Sequence, residues 1–128
     1  MTQLREFIEL GGRVLLMILF FFSGVWKVTA YAATANYMAS AGLPQALLPA
    51  VIFLEIFGTV AIVLGWKTAI IAPLLALYTL AAALLFHLNF ADQIQTIMFL
   101  EHLSIIGAFL ILAANGPGAL SLDARKQT

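Results

Sequence analysis

Long apolar runs, separated by short polar stretches, set the hydrophobic pattern of this chain. Four of them extend over residues 10–26, 47–64, 69–86 and 97–114. An α-helix needs roughly 17 to 25 mostly apolar residues to cross the hydrocarbon core of a bilayer, and all four runs lie at the short end of that range. The pattern therefore predicts an all-α, polytopic membrane four-helix bundle, formed by a single transmembrane domain over residues 1–128.

The stretch between the first two runs is less apolar than the runs themselves. Tyr31, Ala35 and Met38 follow helical spacing, and Gly42 and Pro44 come next as a stop signal. We interpret this stretch as a short helix that lies in the plane of the membrane interface. A plain loop is the alternative.

Composition places the chain in lipid and removes several classes of function. Hydrophobic residues make up 63% of it, charged residues only 9%, and the mean hydropathy is +1.05, whereas an ordinary soluble domain is roughly half apolar and about a quarter charged. The formal net charge is zero, so no basic surface for nucleic acid is expected. Cysteine is absent, which excludes disulfides, thiol catalysis and iron–sulfur ligation by cysteine.

The distribution of basic residues predicts the orientation of the bundle. With four spans, one side of the membrane holds all of the lysines and arginines except Lys27: Arg5, Arg13, Lys67, Arg125 and Lys126. Cytoplasmic loops carry the excess of basic residues, so both termini are expected in the cytoplasm. A cleaved signal peptide is the alternative for the first run. It is disfavoured because Lys27 separates the apolar core from the alanine-rich stretch that follows.

Ionisable residues within the apolar runs mark the candidate site. Glu55 lies in the second run and Glu101-His102 in the fourth, while Lys27 and His87 are at the outer ends of the first and third. Such residues are costly inside a membrane, and each is a functional-site hypothesis by default. All five belong to the outer third of the bilayer, where a compact bundle can bring them together.

Small residues beside the two glutamates predict that both carboxylates face the bundle. Glu55 shares its helical stripe with Gly58 and Thr59, and Glu101 shares its stripe with Ser104 and Ala108. Small residues allow close approach of membrane helices. Simpler interpretations stay open: Lys27 snorkels to the interface, a Lys–Glu pair is purely structural, and His87 is solvated at its helix end.

A carboxylate and an imidazole in an apolar site suit proton exchange. We therefore assign Glu55 and His102 to proton exchange with a quinone or a similar apolar ligand that carries carbonyl or hydroxyl groups. Flat apolar walls for such a ligand are available from four aromatic residues: Tyr78, Phe86, Phe90 and Phe99. Haem held by His87 and His102 is disfavoured, and no metal is predicted, because the histidines and glutamates lack a local ligand spacing.

Several motifs resemble those of the DoxX family of small bacterial membrane proteins. They are the SGVWK segment at residues 23–27 with Tyr31, the YMA and GLP segments at residues 37–39 and 42–44, Glu55, FHLNF at residues 86–90, MFLEHLS at residues 98–104 and GPGALSLD at residues 116–123. At Glu101 this chain departs from the family pattern, in which lysine is common.

This resemblance implies a four-helix protein of the bacterial inner membrane. It further implies a quinone-linked or accessory subunit of a membrane oxidoreductase system, with a soluble or membrane redox partner and the bilayer as surroundings. The residues expected to contact the ligand are Lys27, Tyr31, His87, Asn89 and Glu101. The alternative is a non-enzymatic membrane scaffold or a pathway for a small solute or protons. A homo-oligomer is compatible with either function.

Overall fold

The computed structural model describes residues 2–126, and in this range the chain forms helices and no strands. The helices are α1 (Thr2–Thr29), α2 (Tyr31–Ser40), α3 (Leu48–Leu64, preceded by a 3-10 turn at Gln45–Leu47), α4 (Thr68–Phe86), α5 (Gln93–Asn115) and α6 (Leu122–Lys126). Helices α1, α4 and α5 are long and apolar enough to cross a membrane, and so is α3 together with the 3-10 turn before it. The predicted all-α membrane bundle is confirmed.

The first and last long helices begin earlier than the apolar runs predicted. Helix α1 starts at Thr2 because its polar first turns contain good helix formers and an Arg5–Glu9 ion pair of 3.2 Å at i, i+4 spacing. Helix α5 starts at Gln93, where the side chain of Asp92 accepts a hydrogen bond from the backbone N–H of Ile94 at 2.9 Å. Helix boundaries therefore follow capping and propensity rather than the edge of the apolar run.

Helix α2 confirms the helical interpretation of the segment between the first two spans. Its buried residues Ala35 and Met38 pack against Leu48 at the start of α3. The helix ends before Gly42, whose φ of +83° is a left-handed conformation that glycine adopts without steric cost. This packing holds α2 over one end of the bundle. We call it the outer end, after the orientation that the basic residues predict, and we call the opposite end, at the α3–α4 turn, the inner end.

The bundle consists of two helix pairs that share one apolar core. Helix α1 packs along α3, and α4 packs along α5. The core includes Met17, Ile62 and Leu75, and the rings of Phe20 and Phe109 meet edge to face at 5.5 Å between centroids. Along α1 and α3, this core lies nearer the α3–α4 turn than Lys27 and Glu55 do.

Arg13 fastens the inner end of the bundle, a role that its sequence position did not indicate. Its side chain is only 2% exposed, and its Nη1 donates to the carbonyl oxygens of Ile62 at 3.1 Å and Val63 at 2.7 Å. Its Nη2 donates to the carbonyl oxygen of Leu120. Because the last carbonyls of a helix have no partner within the helix, Arg13 satisfies the end of α3 while it ties α1 to the chain that follows α5.

A second contact brings the carboxyl-terminal segment to the same end. Asp123 accepts hydrogen bonds from the backbone N–H groups of Lys67 at 2.7 Å and Thr68 at 2.9 Å, at the start of α4. A carboxylate at this position favours the helix start. Arg13 of α1, the α3–α4 turn and the segment after α5 therefore lie together, as the four-span topology predicted.

Candidate functional site

A buried ion pair joins α1 to α3 near the outer end of the bundle. Glu55 is 2% exposed, and Lys27 Nζ lies 2.6 Å from its Oε1. Lys27 Nζ also donates to Ser23 Oγ at 2.5 Å, one turn earlier on α1. Of the two interpretations of Lys27, pairing is therefore observed and snorkelling to the interface is not.

Tyr78 of α4 completes this polar cluster. Its hydroxyl donates to Glu55 Oε1 at 3.1 Å, so the same carboxylate oxygen accepts from two side chains on two different helices. From the sequence, Tyr78 was expected only in the aromatic wall of the ligand site. The available signal was its position in the middle of an apolar span, since a buried tyrosine hydroxyl usually finds a hydrogen-bond partner.

Two histidines form a second polar cluster between α4 and α5. His87 is 8% exposed, its Nδ1 lies 2.8 Å from Gln95 Oε1, and its ring centroid is 4.7 Å from that of His102. His102 Nδ1 lies 2.8 Å from the carbonyl oxygen of Met98, which can only accept, so Nδ1 carries the hydrogen. In the neutral ring the lone pair is therefore on Nε2. His87 is buried rather than solvated.

Both polar clusters open onto one cavity of about 480 Å³. Its polar lining comprises Ser23, Lys27, Glu55, Tyr78, His87 and His102, together with threonines of α2 and α4, and the remaining lining is apolar. Helix α2 covers the outer side, where the ring of Tyr37 stacks on that of Phe86 at 5.1 Å between centroids. The cavity thus combines apolar walls with a few convergent polar groups, which is typical of small-ligand sites.

Three of the predicted site residues lie away from this cavity. Glu101 and Asn89 are exposed, and Tyr31 is 43% exposed beside a separate apolar groove along α3. The prediction that Glu101 faces the bundle is wrong: α5 turns Met98, His102 and Ile105 towards the cavity. Successive residues on a helix point about 100° apart, so Glu101 projects outward beside His102.

Two of the four aromatic residues expected in the ligand walls lie elsewhere, and the histidines and glutamates do not form a metal site in the described part of the chain. The rings of Phe90 and Phe99 contact each other at 5.2 Å and do not line the cavity, whereas Tyr78 and Phe86 do. Within residues 2–126, no three histidine, aspartate or glutamate side chains come together to hold a metal ion. The rings of His87 and His102 are in contact, which leaves no space for a porphyrin between them.

Comparisons with known proteins agree with the resemblance seen in the sequence. The DoxX family profile matches residues 8–88, a range that includes Lys27, Glu55, Tyr78 and His87 and ends before His102. The chain is 45% identical over 123 residues to the inner membrane protein YqjF of Escherichia coli K12, covering 96% of this chain and 95% of that protein. It is 38% identical over 129 residues to the inner membrane protein YphA of the same organism, covering 94% and 91%. No solved structure matches the chain significantly.

Proposed function

Since this chain belongs to the DoxX family, we propose that it is an inner-membrane protein whose outer cavity binds a quinone or a similar apolar ligand. In this proposal the protein is a quinone-linked or accessory subunit of a membrane oxidoreductase system. The inner-membrane location rests on the two E. coli relatives, which are inner membrane proteins by name, and on the four apolar helices.

The observation that carries the proposal is the opening of the Lys27–Glu55–Tyr78 cluster onto the cavity. A buried ion pair is expensive to desolvate, and well-packed apolar residues would often stabilise a bundle equally well. Here the pair is not sealed in the core, because the Lys27 side chain keeps 23% of its surface exposed and lines the cavity beside Glu55. A ligand in the cavity can therefore reach the pair directly.

The two polar clusters suit a ligand that takes up protons at two oxygen atoms. Reduction of a quinone consumes two electrons and two protons, and the electrons would come from a redox partner protein. Lys27 Nζ and Glu55 Oε1, at 2.6 Å, can pass a proton to one ligand oxygen. His102, whose Nδ1 donates to Met98, can exchange a proton through Nε2 with the other.

Binding of a short-chain quinone analogue to the purified protein tests this proposal. The wild-type protein should bind the analogue, and Glu55→Gln and His102→Asn should each weaken binding about tenfold, as expected when a buried hydrogen-bonding partner is lost. Glu6→Gln is the matched control, because Glu6 is a carboxylate near the opposite end of α1. Absence of binding to wild-type protein, or equal binding by all variants, would sink the proposal.

One observation favours a scaffold as the second candidate. The Lys27–Glu55 pair and the Tyr78 hydrogen bond link α1, α3 and α4, which is also what a purely structural cluster would do. A solute or proton pathway is less well supported, since the core on the inner side of the cavity is apolar. Under the scaffold hypothesis, a pull-down in mild detergent recovers a constant partner even from the Glu55→Gln variant.

A further inference from the structure

The polar groups that line the cavity leave a ligand more hydrogen-bond acceptors than donors. Acceptor atoms of Glu55, His87 and His102 have no protein partner, whereas most hydroxyl groups of the lining donate to the protein itself. We propose that the cavity binds the reduced, dihydroxy form of its ligand, a quinol, in preference to the oxidised, dicarbonyl form. This inference rests on the proposed function, because it specifies which form of a quinone-like ligand the same site holds.

Glu55 supplies the first free acceptor, at the α1–α3 side of the cavity. Its Oε1 is occupied by Lys27 and Tyr78, and no hydrogen bond reaches its Oε2. In the described part of the chain, the only fully enclosed side-chain nitrogen or oxygen atoms without a partner are Arg13 Nε and Thr68 Oγ1. Oε2 of Glu55 is therefore accessible, and the space that Glu55 lines is the cavity. An ionised carboxylate only accepts, so Oε2 needs a donor from the ligand.

The two histidines supply free acceptors at the α4–α5 side. His102 Nδ1 donates to the carbonyl oxygen of Met98, and His87 Nδ1 donates to Gln95 Oε1, an oxygen that can only accept. In both neutral rings the lone pair is therefore on Nε2. Neither Nε2 atom is among the enclosed atoms without a partner in the described residues. Both are therefore open to a hydroxyl group of a ligand in the cavity.

The donors that remain among the buried and half-buried lining groups lie beside Glu55. The threonine hydroxyl groups of the lining donate to backbone carbonyl oxygens one turn earlier, and the Tyr78 hydroxyl donates to Glu55. Lys27 has three N–H groups, and its two neighbouring acceptors are Ser23 Oγ and Glu55 Oε1. One N–H of Lys27 and the hydroxyl hydrogen of Ser23 are thus left for a ligand. Tyr37, at the outer rim, is exposed.

A quinol matches both sides of this cavity, whereas a quinone matches only one. At the α1–α3 side either form can bind, because a hydroxyl group donates to Glu55 Oε2 and a carbonyl oxygen accepts from Lys27. At the histidine side a hydroxyl group donates to Nε2, but a carbonyl oxygen meets another lone pair. A buried polar group without a partner is costly. The quinol should therefore bind more tightly.

Preference for the reduced form changes the redox potential of the bound ligand. Tenfold tighter binding of the quinol raises the midpoint potential of this two-electron couple by about 30 mV. The bound quinone then accepts electrons more readily than the same quinone free in the bilayer. This shift suits a site at which a partner protein reduces the ligand.

Four short-chain ligands that differ only at the two ring oxygens test the preference: the quinone, the quinol, and the monomethyl and dimethyl ethers of the quinol. Calorimetric titration of the purified protein is carried out at about pH 8, where an unperturbed histidine is neutral, and without oxygen, because air oxidises the quinol. Each hydroxyl hydrogen bond should contribute about tenfold. The quinol should therefore bind about tenfold more tightly than the quinone or the monomethyl ether, and about 100-fold more tightly than the dimethyl ether.

A donor placed at the histidine side should narrow the difference between the two forms. The carboxamide of His102→Gln donates as well as accepts, so the ratio of quinol affinity to quinone affinity should fall to about twofold. Because this ratio is measured within one protein, it does not depend on the fraction that folds. Glu6→Gln, near the opposite end of α1, is the control and should keep the wild-type ratio.

The possible results separate this inference from the function on which it rests. If the quinone or the dimethyl ether binds as tightly as the quinol, or if His102→Gln leaves the ratio unchanged, the preference is overturned while ligand binding stands. If none of the four compounds binds the wild-type protein, the proposed function is overturned and the preference with it.

Discussion

At the scale of single residues, the Lys27–Glu55 pair supplies the charged groups of an otherwise mainly apolar cavity. Glu55 Oε1 accepts from Lys27 Nζ at 2.6 Å and from the Tyr78 hydroxyl at 3.1 Å. Removal of one partner leaves a buried charge without compensation, which is far more costly than removal of both. The pair therefore behaves as a unit, in stability as well as in chemistry.

This unit predicts a strongly non-additive pair of substitutions. Lys27→Met or Glu55→Met alone should lower the free energy of unfolding by about 3 kcal/mol, because each leaves the other charge unpaired. The double variant should lie within about 1 kcal/mol of the wild type, since two apolar side chains then pack together. Unfolding by titration with SDS in mixed micelles measures both. Additive losses would show that the two residues stabilise the bundle separately.

The sequence correctly predicted that Lys27, Glu55, His87 and His102 lie near one another, and they line one cavity. It did not predict that Glu101 points away from the bundle. Depth along a helix follows directly from residue number, so residues in the outer third of each span could be recognised. Rotation about the helix axis does not follow, because Glu101 and His102 are neighbours on α5 that point about 100° apart, and residue number does not show which of the two faces the bundle. Tyr78 was missed as a polar partner for the same reason: its contact with Glu55 depends on how α4 is turned.

At the scale of elements, the turn between α3 and α4 contacts both Arg13 of α1 and the carboxyl-terminal segment at the inner end. Gly65 ends α3 with a φ of +69°, and a Cβ placed there would collide with Ser121 Cβ and come within 2.9 Å of Arg13 Nη1. Only glycine allows this turn to approach the Arg13 side chain and the carboxyl-terminal segment so closely. Glycine is therefore required at residue 65 for two reasons: the left-handed backbone conformation and the lack of space for a Cβ atom.

Two glycine substitutions separate these effects. Gly65→Ala should destabilise the protein by about 2 kcal/mol or more, since alanine disfavours the left-handed conformation and its Cβ meets neighbouring atoms. Gly12→Ala is the control: it lies inside α1 with nothing within 4 Å of the added carbon, so it should stabilise by about 0.5 to 1 kcal/mol. Heating in detergent followed by gel filtration measures both. Equal stability of the two variants would contradict the role assigned to the turn.

The helices themselves were largely predictable from the sequence. The contacts of Arg13 and Asp123 at the inner end were not. Apolar length was sufficient to locate the four spans, whereas the spacing of Tyr31, Ala35 and Met38 indicated α2 but left a loop as the alternative. The early start of α1 was missed because a polar segment outside the bilayer can be either helix or loop, and apolar length does not distinguish the two. The burial of Arg13 depends on carbonyl groups more than forty residues away, and no local pattern encodes such a contact.

At the scale of the whole molecule, the two ends of the bundle differ: hydrogen bonds hold the inner end together, and the outer end contains the cavity. Arg13 and Asp123 bind the inner end together, while the outer end holds the cavity under α2. All lysines and arginines except Lys27 belong to the segments at the inner end, which is expected to face the cytoplasm. The cavity would then open towards the outer leaflet, within reach of ligands dissolved in the membrane.

Reporter fusions test this orientation. Alkaline phosphatase is active only outside the cytoplasm, so a fusion after Arg125 should be inactive, and a fusion in the α4–α5 connection at Asn89 should be active. Charge asymmetry of this kind sets the orientation of most multi-span proteins. Activity in the opposite pattern would place the cavity in the cytoplasmic leaflet.

In the proposed function, the cavity between Lys27–Glu55 and His87–His102 holds an apolar ligand with hydrogen-bonding oxygens. Mass spectrometry of organic extracts from protein purified in mild detergent measures this occupant directly. We expect a quinone in the wild-type extract at close to one molecule per chain, and its loss from the Glu55→Gln extract. A wild-type extract without quinone, or equal quinone in both extracts, would contradict the account.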